Sequence, residues 1–179
     1  MRRELAGSVL LLVVVALLVL RPWEGELEGG PGSADAVVIR VVDGDTVEAR
    51  IDGDVEDVRL IGVDTPETVK PGAPVECFGA QASRFTHGVL EGRRVRLVFG
   101  VERRDHYGRL LAYVYLPRRT LSVPQHVKSP TRLFNAELIR RGLARTLTIP
   151  PNDRFAPRLR RLELAAARSG RGLWGACGP

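Results

Sequence analysis

Two short acidic stretches hold most of the residues that could do chemistry: VDGDT at Val42–Thr46 and VDTPE at Val63–Glu67. Each follows an apolar, β-branched run, and each sets carboxylates at a turn. Between them Asp52-Gly53 is a hairpin signal flanked by strand-like sequence. Pairing about that turn puts Asp45 opposite the region of Ile61 to Asp64, so the two acidic turns converge. Asp43, Asp45, Asp64 and Glu67 then share a small volume, where like charges resist joint ionisation unless a cation intervenes. A hard divalent cation with oxygen ligands answers that need, and Pro66 helps hold the second turn. Asp and Gly also fill turns for purely local reasons, so VDGDT alone says little. Its company says more. Arg59 lies five residues before Asp64, and RRDHYGR at Arg103–Arg109 ends in a second arginine beside Tyr107 and Gly108. Two guanidinium groups aimed at a carboxylate-bound cation make a phosphodiester site, because each fork can hold phosphate oxygens bidentately. The odd separation would set Arg59 and Asp64 on opposite faces of a regular strand. Gly62 is where a bulge or a strand end would correct this.

The elements that must position these groups read as strands first and helices later. Val37–Val42, Thr46–Ile51, Val55–Val63, Arg94–Phe99 and Leu110–Leu116 are the strand-like runs. Phe78, Ala82, Phe85 and Val89 recur at helical spacing and mark one buried face. Asn135 reads as the N-cap of a short helix ending at Arg141, with Gly142 as its stop. Pro157 opens a third helix that runs through Leu159, Leu162 and Ala166 to Gly170. The expected fold is α+β, mainly β: a small closed barrel of five strands with about three helices packed on it. RRTLSVPQHVKSPTR, Arg118–Arg132, has no period and reads as an inserted loop.

The chain's 179 residues suggest one domain plus a tail. It begins MRRELAGSVLLLVVVALLVLRPW, with an uncharged run from Leu5 to Leu20. As a helix that run spans ~24 Å, a little short of the ~30 Å hydrocarbon core. A cleaved signal peptide and a retained anchor, with Arg21 and Trp23 at the interface, both fit. Either reading sends the domain to the extracytoplasmic side, secreted or anchored in the membrane. Residues 1–23 are then the targeting segment, 24–35 a flexible linker rich in Gly and Glu, and 36–179 the globular domain. Cys77 and Cys177 fit an oxidising compartment, as one bridge or as two thiols. Trp174, in the GLWG before Cys177, is expected to dock the tail on the barrel. His87, His106 and His126 lack zinc-ligand spacing. The formal net charge is +6, and among the 27 basic residues only Lys70 and Lys128 are lysine. Such a domain attracts polyanions, whether nucleic acid, an anionic membrane or an acidic glycan. Arginine enrichment also follows from genome composition alone.

VVDGDTVEAR, VRLIGVDTPE, DHYGRLLAYVYL and FNAELIRRGLAR, in that order, resemble the staphylococcal nuclease (thermonuclease) family, over about Val37 to Trp174. The resemblance implies an OB-fold barrel with three helices and a Ca²⁺-dependent nuclease that cuts DNA and RNA to leave 3′-phosphate ends; a monomer is expected. By motif position it implies Asp45 and Asp64 as calcium ligands, with the Thr65 backbone carbonyl beside them. Glu67 takes the general-base position, Arg59 and Arg109 contact the scissile phosphate, Tyr107 lies beside it, and Asp43 stands behind the ligands. The sequence departs from the family pattern twice. GLARTLTIPPND places Thr148 and Pro150 about where the family has a tyrosine pair near the base, and the Arg118–Arg132 insertion replaces a tight hairpin. The alternative is a noncatalytic OB module that holds single strands on a basic groove. A complete Asp/Asp/Glu/Arg/Arg set favours the enzyme.

Overall fold

Strand β1 (Ser33–Asp43) buries Ala36 and Val38 and turns Asp35 outward, the alternation of a sheet with one face on a core, until a register shift after Val38 turns Arg40 out. The computed structural model describes residues 32–68, 72, 74–117 and 131–177. Strand β1 pairs antiparallel with β2 (Thr46–Ile51), and β2 with β3 (Asp54–Leu60) in the register Thr46↔Arg59 to Ile51↔Asp54. Both Asp52 and Gly53 have positive φ, as the tight hairpin between β2 and β3 requires. After a two-residue β4 (Val63–Asp64) and helix α1 (Gly79–Leu90), the chain adds β5 (Arg94–Arg104) to the free edge of β1. Strand β6 (Leu110–Pro117) pairs with β5 and returns to β3 in parallel through Val58↔Leu110, Arg59↔Leu111 and Leu60↔Ala112. That seam closes a five-stranded barrel in the order β1-β2-β3-β6-β5.

Val38, Val47, Val58, Leu60, Leu97 and Leu116 fill the interior. Beyond it lie β7 (Thr131–Leu133), which pairs with β6, and α2 (Phe134–Arg141), which buries Phe134, Leu138 and Ile139. Then come β8 (Arg145–Thr146), paired with β4, and α3 (Ala156–Arg168), with Pro157 in its first turn as expected. Ala82 of α1 is buried, while Phe78, Phe85 and Val89 pack partly buried against the same core. The barrel and its three main helices match the expected class.

Several expected details change. The sheet begins at Ser33, inside the segment read as linker, because Ser33–Val37 pair with Arg94–Val98 of β5. Main-chain bonds need no apolar pattern. Asn135 is no N-cap: Leu133 takes that place, and Asn135 is fully buried as the second residue of the helix. Its Oδ1 accepts from the Val114 amide at 2.9 Å and its Nδ2 donates to the Ile61 carbonyl at 2.8 Å, which ties α2 to β6 and to the turn after β3. The run Val55–Val63 breaks at Ile61-Gly62 into β3 and β4. Cys77 and Cys177 form a disulfide with a Cα–Cα separation of 5.9 Å. The tail docks on α2 rather than the barrel, through a short α4 (Leu173–Ala176). Leu173 is buried there and its amide donates to the Gly142 carbonyl at 2.9 Å. Trp174 is half-buried, with the Arg145 guanidinium 4.6 Å above its ring. Residues 1–31 and 118–130, the targeting segment and most of the expected insertion, lie outside the described residues.

Candidate metal and phosphate site

The two acidic turns press against each other at Gly44 and Thr65. A Cβ at Gly44 would lie 2.7–2.8 Å from the Thr65 side chain, so the glycine in VDGDT is required by close approach. The Thr65 amide donates to Asp45 Oδ2 at 2.8 Å and the Thr46 hydroxyl to Asp45 Oδ1 at 3.1 Å. Asp43 Oδ1 accepts from the Thr68 hydroxyl at 2.6 Å and the Gly44 amide at 2.7 Å. The second turn is thereby tied to both carboxylates of the first.

The odd separation of Arg59 and Asp64 is resolved at Gly62, whose φ of +80° turns the chain between β3 and β4. Arg59 Nη2 lies 3.2 Å from Asp45 Oδ2 and 3.2 Å from Asp64 Oδ1, while Nη1 donates to the carbonyls of Leu60 (2.9 Å) and Val63 (2.8 Å). One guanidinium therefore sits between the two carboxylates that sequence brought forward as metal ligands. Burial pushes the Asp64 carboxyl above the ordinary carboxylate range; Arg59 pulls it back, and Asp45, Glu76 and Glu67 push it up again. Burial likewise raises Asp43, offset by its bonds from Thr68 and Gly44 and reinforced by neighbouring Glu67. Added positive charge is favoured here. Glu67 Oε1 accepts from the Thr68 amide at 2.8 Å. Its main chain is bracketed by Glu76: the Glu67 amide donates to Glu76 Oε2 at 3.1 Å, and the Glu76 amide to the Glu67 carbonyl at 2.9 Å.

Arg109 is aimed by Asp105. Its Nε and Nη2 donate to Asp105 Oδ2 at 2.8 and 2.7 Å, and its guanidinium lies 5.2 Å from the Tyr107 ring centre. Burial alone would raise the Asp105 carboxyl, but bonds from the Arg109 side chain and from the amides of Arg109 and Tyr107 hold it below its usual range. Arg59 and Arg109 share a cavity of about 300 Å³ whose walls include Leu111, Leu147 and Ile149. Asp43, Asp45, Asp64, Thr65, Glu67 and Arg59 thus gather at one cluster; of these Arg59 also lines the cavity, which Arg109 reaches from the turn just before β6. Tyr107 is 73% exposed and stands outside the cavity wall. Where a tyrosine pair was expected to be missing, the wall is aliphatic: Leu147 and Ile149 line it, rather than Thr148 and Pro150. Sequence reasoning missed Asp105, Thr68 and Glu76. Only Asp105 carried a usable signal, the acid four residues before Arg109.

The donor set fits a hard cation. Asp45, Asp64 and Thr65 offer only oxygen, the ligand type of Ca²⁺ and Mg²⁺. Thr65 Oγ1 is buried without a hydrogen-bond partner. Among the described residues no three Asp, Glu, His or Cys side chains close into a cage.

A closed OB-type barrel whose seam carries an oxygen-donor cluster and two arginines that share one cavity is the class that fold and site define. Residues 57–176 match the family described as staphylococcal nuclease homologue, and the chain belongs to that family. It is 37% identical to the thermonuclease of Staphylococcus intermedius, over 97% of this chain and 99% of that protein. Against the thermonuclease of Staphylococcus hyicus it is 35% identical, over 92% of this chain and 95% of the relative. Endonuclease YncB of Bacillus subtilis is 33% identical, over 78% of this chain and 61% of its own length.

Proposed function

We propose that this chain is an exported, Ca²⁺-dependent nuclease that hydrolyses phosphodiester bonds of DNA or RNA and leaves 3′-phosphate ends. The observation that carries the reading is Arg59 at 3.2 Å from both Asp45 and Asp64, sharing one cavity with Arg109. The thermonuclease relatives support the substrate class. Export is supported by the apolar run Leu5–Leu20 and by the Cys77–Cys177 bridge.

Asp45, Asp64 and the Thr65 carbonyl would hold Ca²⁺, which supplies Lewis-acid polarisation of a phosphate oxygen. Arg59 and Arg109 bind the phosphoryl oxygens and meet the charge that grows on them, where preorganised donors count most. Asp105 and Tyr107 fix how the Arg109 fork is presented. Glu67, steadied by Thr68 and Glu76, accepts the proton of the attacking water. The water oxygen bonds to phosphorus, the bond to the 5′-oxygen breaks, and that oxygen leaves with the electron pair and takes a proton from solvent. The 3′-oxygen keeps the phosphate.

The test is cleavage of end-labelled DNA and RNA by the purified full chain, with Ca²⁺ and with excess chelator. Cleavage should rise over the sub-millimolar to millimolar Ca²⁺ range, because a site with few protein ligands binds weakly. Full turnover in chelator would sink the metal requirement, and no cleavage at any Ca²⁺ concentration would sink the nuclease reading.

A further inference from the structure

At the opposite end of the β1–β2 hairpin from the carboxylates, strand register builds a second basic surface. Val37 of β1 pairs with Arg50 on one side and Arg94 on the other, so the three form a row across β2, β1 and β5. Two residues along, Asp35 pairs with Arg96, which in turn pairs with Tyr115 of β6. Directly paired residues, and residues two apart on one strand, share a face. Because Ala36, Ala49, Val95 and Leu116 are buried, that face is the outer one. It encloses a hollow of about 500 Å³ lined by Arg50, Arg94, Arg96, Val37 and Tyr115. Val37 stands six residues from Asp43 along β1, ~20 Å at ~3.4 Å per residue.

The charges here are not consumed by the fold. Asp35 approaches Arg96 at 3.6 Å and Ser33 Oγ accepts from Arg96 at 3.0 Å, whereas among the described residues Arg50 and Arg94 have no ion-pair partner. Three guanidinium groups against one carboxylate, around a floor of Val37 and a half-buried tyrosine, suit a ligand with both repeated anionic groups and flat apolar rings. A single nucleic-acid strand has both: phosphates for the arginines and bases for Tyr115 and the floor. An anionic lipid surface would use the charge but not a recessed ring.

We propose that this outer barrel face is a second binding surface for single-stranded nucleic acid, which holds a long substrate away from the bond being cut. The inference rests on the nuclease reading, because the strand held is the strand cleaved. The site itself needs only the scissile phosphate and its neighbours. Short substrates therefore do not depend on the face, and long ones gain affinity through it.

The test uses the full chain and three variants: the double variant Arg50→Ala/Arg94→Ala, Arg94→Glu and Tyr115→Leu, each checked for an unchanged melting curve. Binding of a labelled thirty-nucleotide single strand is followed by anisotropy as salt is varied, without Ca²⁺. The double variant should lower the slope of log K against log salt by about 1.4, at ~0.7 per lost phosphate contact on single strands. Tyr115→Leu should weaken binding ~5- to 150-fold, the range of a lost base stack. Cleavage of a dinucleotide with Ca²⁺ should be the same in all four proteins. Wild-type protein that cuts, while all three variants keep wild-type slope and affinity, overturns the surface and leaves the nuclease reading standing. Wild-type protein that binds with the face-dependent slope yet cuts nothing overturns the nuclease reading instead. Loss of binding to phosphatidylglycerol vesicles, with oligonucleotide binding unchanged, would assign the face to membrane and overturn the proposal.

Discussion

A guanidinium in water can turn its N–H groups in many directions; Arg109 has most of that freedom removed by Asp105 on one edge and the Tyr107 ring beside it. Orientation and charge can therefore be tested separately. Arg109→Ala should lower kcat/KM roughly 100- to 1000-fold, or ~2.7–4 kcal/mol, if the fork meets charge in the transition state. Arg109→Lys keeps the charge and loses the fork, so it should recover little of that loss. Near-wild-type rates for Arg109→Ala on labelled oligonucleotide would show that the arginine does not touch the phosphate. At Gly44 the question is volume. The added methyl of Gly44→Ala would meet Thr65 at 2.7–2.8 Å, and overfilling of this kind costs ~1–3 kcal/mol. Urea unfolding should show the loss, and cleavage should fall with it, because the two turns carrying Asp45 and Asp64 are forced apart.

Among the elements, β4 is too short to stand alone, and the chain of support behind it is specific. Asp64 sits on β4, β4 pairs with β8, and β8 is held to α3 by Glu163, which accepts from the Thr146 amide (2.9 Å) and hydroxyl (2.7 Å) and pairs with Arg160 (2.6 Å). Burial would raise the Glu163 carboxyl, but these partners outweigh it and hold it below its usual range. A carboxyl lowered on folding adds stability that is full above its unfolded value, about 4.3, and is lost as pH falls through the folded value. Glu163→Gln should therefore cost about 2 kcal/mol at neutral pH, and its deficit against wild type should shrink below about pH 4. Unfolding curves across that range check both. The same pairing shows what the sequence could and could not reveal. Alternation and the Asp52-Gly53 turn made the barrel strands legible, and the acidic turns with Arg59 and Arg109 marked the residues that gather at the candidate site. Strands of two or three residues such as β4, β7 and β8 have no period to read, and Asn135 looks like a cap until its partners on β6 and at Ile61 are in place. Thr68 and Glu76 act only through contacts made by folding.

For the whole molecule, the Cys77–Cys177 bridge closes a 100-residue loop that takes in most of the domain. Loop entropy assigns such a link up to ~4.7 kcal/mol. The double variant Cys77→Ser/Cys177→Ser should melt well below wild type. Cleavage at low temperature should be unchanged, because Glu67 keeps its bonds to Thr68 and Glu76. Equal melting temperatures would show that the tail needs no pin beyond Leu173. The barrel seam carries a different consequence. Arg59 lies in the β3–β6 pairing itself, opposite Leu111 and two residues past the level of Arg109. A chain emerging residue by residue owns its acidic hairpin early, but it gains the arginine pair only when β6 locks against β3. On the proposed function, the ability to cut depends on that seam being closed, and a chain whose barrel is still open is disarmed.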